Sequence, residues 1–276
     1  MSVLLITIVF LGLLGCIGAV VLYITARKFH VDEDPRIDAI CNELPGANCG
    51  GCGMKGCRDF ASECVGRNSL SGLNCPVSGP DGMARIAAIL GVESVASDRK
   101  IAVLRCNGSC SARPQTYRYD GEKTCAIMDS VGVGTSGCSY GCLGCGDCTT
   151  VCNFDAIHIN KETGLPVVDA DKCTACGACV AECPRRLIEL RPVGRRNRRV
   201  WVACSSKDRG AVARKVCAAA CIGCGKCAKE CPFGAINIAD NLAYIMPDAC
   251  KSCGKCVGVC PTGAILTSFT LATAKQ

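Results

Sequence analysis

The chain has 276 residues, 31 Lys and Arg against 24 Asp and Glu, a formal net charge of +7, and 29 cysteines. An odd cysteine total in a chain this long fits a disulfide framework poorly. One Trp, six Phe and five Tyr are too few for large apolar cores, and only Trp201 lies near the densest arginines, which is no stacking platform for nucleic acid.

Val3 to Ala26 carries no charged side chain, and a helix of that length crosses a hydrocarbon core of about 30 Å. Arg27 and Lys28 follow it with no basic residue before it, so residues 1–28 are expected to be a single-pass anchor in the inner (cytoplasmic) membrane, with the remainder on the cytoplasmic side. A cleavable signal peptide would place its basic residues ahead of the apolar run. Gly12, Gly15 and Gly18 within the span suit close approach by another helix.

Residues 29–95 are expected to form a small helical domain around one [4Fe-4S] cluster held by Cys49, Cys52, Cys57 and Cys75. The glycines at 46, 50, 51, 53 and 56 let the backbone curl and aim N–H groups at sulfur. Cys41 and Cys64 read as buried small hydrophobes, since the thiolate set is complete without them. Met83 to Gly91 has helical character and ends in a glycine suited to a C-terminal cap.

Four copies of C-x2-C-x2-C-x3-C begin at Cys142, Cys173, Cys221 and Cys250. Three thiolates so spaced wrap one face of a cubane, and the fourth serves the neighbouring cluster of a two-cluster ferredoxin unit. The first unit, 96–192 with its preceding arm, would pair Cys142, Cys145 and Cys148 with Cys183, and Cys173, Cys176 and Cys179 with Cys152. The second, 193–276, would pair Cys221, Cys224 and Cys227 with Cys260, and Cys250, Cys253 and Cys256 with Cys231. Pro184, Pro232 and Pro261 follow three of the distal cysteines, whereas Asn153 follows Cys152. Zinc sites use separated cysteine pairs around one ion and do not explain this repeated triple. Five clusters of about −2 each would turn the formal +7 into about −3.

Short strands are expected after each motif, at 156–160, 187–190, 235–238 and 264–266, as the hairpins of an α+β ferredoxin fold. Each unit has an arm, Val103 to Cys106 and Val202 to Cys204, and Cys138 precedes Cys142 by the interval at which Cys217 precedes Cys221. The remaining thiols leave room for one further cluster. One candidate set is local, Cys106, Cys110, Cys125 and Cys138; the other follows the repeat, Cys106, Cys138, Cys204 and Cys217; plain buried thiols are the third reading.

Gly132 to Gly137 matches G-x-G-x-x-G but runs straight into a cysteine motif, without the strand and helix that give the pattern meaning. Seven arginines between Arg185 and Arg199 are either a docking patch for an acidic electron donor or a solvated linker. His30 and His158 are too scattered for a catalytic centre.

An anchor ending in Arg27-Lys28, then the Cys49, Cys52, Cys57 and Cys75 set, then ferredoxin motifs: this order resembles the B subunit of the Rnf complex over essentially the whole chain. The resemblance implies a component of an ion-pumping membrane oxidoreductase, a translocase that exchanges electrons between reduced ferredoxin and NAD. It implies soluble ferredoxin as donor and membrane, flavin and NAD subunits as partners, with no complete active site in this chain. Shorter members have one ferredoxin unit, so two units suggest a longer form. The rival reading is a related membrane redox regulator that reduces a transcription factor.

Overall fold

The structure, a computed structural model, describes residues 2–28, 33–93, 98–132 and 134–270. His30 lies outside them. Helix α1 spans Ser2–Lys28, and its stretch Leu5–Thr25 is long and apolar enough to cross a membrane. None of that stretch is buried against the rest of the chain. Arg27 and Lys28 occupy its last turn, where the helix dipole favours cations.

Three helices follow: α2 (Pro35–Glu43), α3 (Cys57–Arg67) and α4 (Gly79–Leu90). Asp34 caps α2 by accepting the Arg36 N–H at 2.9 Å, and Pro35 supplies the preset φ of a first helical residue. The expected stop at Gly91 is observed, with φ 68° in the left-handed region. Ile40, Phe60, Ala61, Cys64 and Ile86 lie at the centre of the three-helix core, each 1 % exposed or less.

The first ferredoxin unit runs β1 (Lys100–Leu104), α5 (Cys125–Val131), α6 (Asp147–Thr150), β2 (Ile157–Ile159), β3 (Pro166–Val168), α7 (Ala178–Glu182) and β4 (Ile188–Pro192). After a 3-10 turn at Arg195–Asn197 the second repeats the plan: β5 (Val200–Val202), α8 (Gly210–Val216), α9 (Lys226–Glu230), β6 (Ile236–Ala239), β7 (Leu242–Ile245), α10 (Lys255–Gly258) and β8 (Ile265–Thr267). The strands form four antiparallel pairs. β2 with β3 and β6 with β7 are local hairpins, as expected. The strands after the second motif of each unit differ: β4 pairs with β1 and β8 with β5. Each arm therefore returns to close its own unit, because the last strand has no downstream neighbour within the unit and an unpaired edge would leave its N–H and C=O groups unsatisfied.

The two units form one joint. The Trp201 indole N–H donates to Leu104 O at 3.0 Å, Asn107 N–H to Ala203 O at 2.8 Å, and Ala218 N–H to Ala112 O at 2.8 Å. Arg191, 3 % exposed, donates to Val200 O and Ile245 O at 3.2 and 2.8 Å. Tyr244 of the second unit receives Arg105 and Arg191, both of the first, each 5.2 Å from its ring centroid.

Candidate iron-sulfur sites

The four ferredoxin motifs share one backbone path. Their third and fifth residues are left-handed throughout: Gly144 and Gly146, Ala175 and Gly177, Gly223 and Gly225, Ser252 and Gly254. Two left-handed residues between three cysteines bend the chain into a cup with its thiols facing a common centre. Ala175 at φ 58° and Ser252 at φ 52° hold this path without glycine, at a cost of about 1–2 kcal/mol each, as functional loops do. The fifth-position glycine is also the N-cap of α6, α7, α9 or α10, the short helix that carries the third cysteine.

The distal cysteines are equally alike. Three residues beyond each, Asp155, Arg186, Gly234 and Gly263 are left-handed, and their N–H groups turn back to the cysteine carbonyls at 2.9–3.4 Å. Cys152 adopts this turn without the proline that follows the other three, so Asn153 is no obstacle to its assignment. Ala156 N–H reaches Cys152 Sγ at 3.4 Å and Leu187 N–H reaches Cys183 Sγ at 3.3 Å, contacts that favour negative charge on sulfur.

The structure brings several of these cysteines to common hollows. Cys142, Cys148 and Cys183 line one hollow, Cys152, Cys173, Cys176 and Cys179 a second, and Cys221, Cys224, Cys227 and Cys260 a third, with Leu, Ile, Val and Ala completing much of the walls. Cys145 lies beside the first hollow, against Met128 Sδ at 3.1 Å. The thiol of Cys256 is pushed up to about 12, by burial first and then by Cys250, Cys253, Cys227 and Cys231. Cys142 is likewise pushed up to about 12, by burial and then Cys106. Thiols so placed ionise readily only against a cation, and iron supplies one while releasing their protons. Among the described residues no three Cys, His or carboxylate side chains converge on a single-ion site. Donor chemistry, cup geometry and apolar walls all fit [4Fe-4S] groups.

In the helical domain Cys57 opens α3, its N–H held by Asn48 Oδ1 at 2.8 Å. Cys75 lies beneath α4, its N–H reaching Met83 Sδ at 3.4 Å. Cys52, Cys57 and Cys75 pack on the same core, and Cys49 stands half-buried in the glycine loop before them. Cys64 is fully buried, its thiol pushed up to about 11 by burial and then by Cys52; Cys41 is half-buried. Cys57→Ala is expected to remove about four irons while Cys64→Ala and Cys41→Ala remove none, measured as iron per chain after reconstitution. Retention of all iron by Cys57→Ala would make Cys64 or Cys41 the ligand.

This glycine loop touches the first ferredoxin unit. A Cβ on Gly51 would stand 2.5 Å from Cys176 O and 2.9 Å from Cys176 Cα, so two cysteine loops meet backbone to backbone, and only glycine allows it.

Of the two candidate sets for a further site, the structure brings together the one that follows the repeat. Cys106, Cys138, Cys204 and Cys217 are each 7–8 % exposed. Cys217 senses Cys106 and Cys138, and Cys204 senses Cys106, beside the burial that dominates both thiols and raises them. Arg113 stands among them: a Cβ on Gly141 would meet both its guanidinium and Cys138 Sγ, and one on Gly108 both its side chain and Cys217 Sγ. The local set is dispersed. Cys110 is exposed beside Gly164, and Cys125 lines the Cys142 hollow, its N–H on Asp147 Oδ2 at 2.7 Å. Cys125 also neighbours Cys145, whose thiol is pushed up to about 12 by burial and then by Cys125, a pairing that nothing in the spacing points to. The site also touches both units, since Cys142 N–H reaches Cys106 Sγ at 3.4 Å and Cys204 accepts a backbone hydrogen bond from Cys221.

The arginine run is neither a docking patch nor a solvated linker as a whole. Arg185 pairs with Asp129 at 2.7 Å and donates to Gly141 O at 2.6 Å. Arg191 lies in the joint between units and Arg199 is 9 % exposed; Arg186, Arg196 and Arg198 are outside. Sequence reasoning misses this burial because a charge run alone does not show which members meet carbonyls from distant segments. Gly132 to Gly137 follows α5 and leads into Cys138, with Ser136 bridged to Gln115, not between a strand and a helix. His158 is exposed on β2.

Family models for a 4Fe-4S dicluster domain match residues 139–190, 172–235 and 220–264, and an Fe-S cluster model matches 44–76. The last spans Cys49, Cys52, Cys57, Cys64 and Cys75 and leaves Cys41 out. The 172–235 match pairs motifs from different units, whereas the β2–β3 and β6–β7 hairpins join motifs within one. Over 245 residues the chain is 43 % identical to the B subunit of the Na(+)-translocating ferredoxin:NAD(+) oxidoreductase complex of Acetobacterium woodii, covering 89 % of this chain and 72 % of that one. It is 40 % identical to the B subunit of the ion-translocating oxidoreductase complex of Methanosarcina acetivorans, over 88 % of this chain and 90 % of that one. Identity to the B subunit of the proton-translocating ferredoxin:NAD(+) oxidoreductase complex of Clostridium ljungdahlii is 36 %, over 89 % and 85 %.

Proposed function

This chain belongs to the B-subunit family of Rnf-type ion-translocating ferredoxin:NAD oxidoreductases, and from that membership we propose that it takes electrons from soluble ferredoxin at its second ferredoxin unit and hands them, site by site, to the membrane end. It is an iron-sulfur electron-transfer subunit. The clusters supply one-electron carriers when bound; the chain holds them, spaces them, excludes water and sets their electrostatics.

The ligands are the twenty cysteines of the five sets, with Cys106, Cys138, Cys204 and Cys217 holding a sixth [4Fe-4S] cluster across the arms. The observation that carries this reading is the unbroken adjacency of the sets. Gly51 abuts Cys176, the first unit joins its two sets through α6 and α7, and Cys106 and Cys204 link Cys142 to Cys221. The second unit is the point of entry, because Cys224 and Cys253 are exposed there, flanked by exposed Lys226, Lys251 and Lys255. Such a rim attracts an acidic carrier and speeds its encounter. The exit lies beside α1, which anchors residues 1–28 in the cytoplasmic membrane with the clusters on the cytoplasmic side, near partners that carry the flavin and NAD sites.

The test is iron and acid-labile sulfide per chain, together with stopped-flow reduction by ferredoxin. At least about twenty irons are expected, and about twenty-four with the arm site filled. Replacing Lys226, Lys251 and Lys255 by Gln is expected to slow reduction several-fold at low salt, with the difference shrinking at high salt. A loading near eight irons, or zinc in their place, overturns the cluster reading; unchanged rates at both salts overturn the entry site.

A further inference from the structure

The first hollow of the first ferredoxin unit is lined by Cys142, Cys148 and Cys183 together with Cys125, which belongs to no motif. The other two hollows hold motif cysteines alone, and the middle one of the triple is among them, Cys176 in one and Cys224 in the other. In the first hollow the middle cysteine, Cys145, turns aside to Met128 Sδ at 3.1 Å, and Cys125 stands on the wall. Helix α5, which carries Cys125, is tied to the ligand loops from both sides. Asp147, between Cys145 and Cys148 in the motif, accepts the Cys125 N–H at 2.7 Å and the Ala126 N–H at 3.3 Å. Arg185, two residues beyond Cys183 and with its side chain 6 % exposed, pairs with Asp129 of α5 at 2.7 Å. Cys125 and Met128 are one turn apart on α5 and share a face of it, so one face offers Met128 to Cys145 and Cys125 to the hollow.

We propose that Cys125 is a substitute ligand, which completes the cluster of Cys142, Cys148 and Cys183 whenever Cys145 is off the iron. The proposal rests on the ligand assignment above. The exchange is one thiolate for another: the Cys125 Sγ–Fe bond forms as the Cys145 Sγ–Fe bond breaks, the proton that Cys125 gives up is matched by the one that Cys145 takes up, and no electron moves. The centre keeps four protein sulfurs and its charge. An oxidant or alkylating agent that consumes Cys145 therefore leaves this centre in place and the first unit able to carry electrons.

The test is iron and acid-labile sulfide per chain in full-length, reconstituted wild type, C145A, C125A, C125A/C145A and C148A. C145A and C125A are each expected to hold as much iron as wild type, and C125A/C145A and C148A about four irons fewer. Loss of about four irons from C145A overturns the proposal, because Cys125 has then failed to replace Cys145. The same loss from C125A overturns it by making Cys125 an obligatory ligand, and full iron in C125A/C145A overturns it as well. Should the double variant fail to accumulate, iodoacetamide labelling of C145A, read by mass spectrometry, decides the matter: Cys125 is expected to react only after the iron has been stripped, and equal labelling of loaded and stripped protein overturns the proposal. Wild type holding zinc or far fewer than about twenty irons, or full iron in C148A, would instead overturn the ligand assignment, and this inference with it.

Discussion

Replacing Cys106 and Cys217 together by Ala should lower the iron content by about four and divide the molecule electrically into two halves. The pair contributes one thiolate from each arm, and a cubane deprived of two ligands is not retained. Ferredoxin would still reduce the Cys221 and Cys250 sets, while the membrane-proximal set would stay oxidised on the stopped-flow time scale. Cys110→Ala should change neither quantity, since Cys110 is exposed and apart from the four buried thiols. Full iron in the double variant would return the arm thiols to the status of ordinary core residues.

Gly51→Val should leave the iron content unchanged and slow reduction of the membrane-proximal set several-fold. The obstruction is backbone on both sides: the added Cβ would lie 2.5 Å from Cys176 O and 3.1 Å from Cys176 C, so no side chain can swing aside and the two loops must part. Gly66→Ala is the control, because nothing lies within 4 Å of its Cβ position and alanine suits its place in α3. Equal rates in wild type and Gly51→Val would show that electrons do not pass through this contact.

The cup of each cysteine motif is legible in the sequence because the motif is a local object. Three thiols in seven residues, with left-handed positions at Gly144 and Gly146 or Gly223 and Gly225, fix their own geometry whatever surrounds them. Gly91 and α4 are legible for the same reason. The choice between the two arm sets is not, since Cys106 comes near Cys217 only when the two arms are joined through Trp201 and Asn107. The closing strands read wrongly as local hairpins, because nothing in 187–190 or 264–266 distinguishes a partner next door from one at the far end of the unit. Arg185 and Arg191 look like surface charge, and only carbonyls from distant segments give them a place inside.

The return of β4 to β1 sets a timetable for synthesis. Roughly eighty residues separate the two strands, and at about 5–20 residues per second the first unit stays open for several seconds after β1 has left the ribosome. During that interval its thiols are within reach of the proteins that deliver iron and sulfide, and equally of oxidants. Once β4 pairs with β1 the unit is closed, so clusters should enter the finished chain more slowly than the chain still on the ribosome.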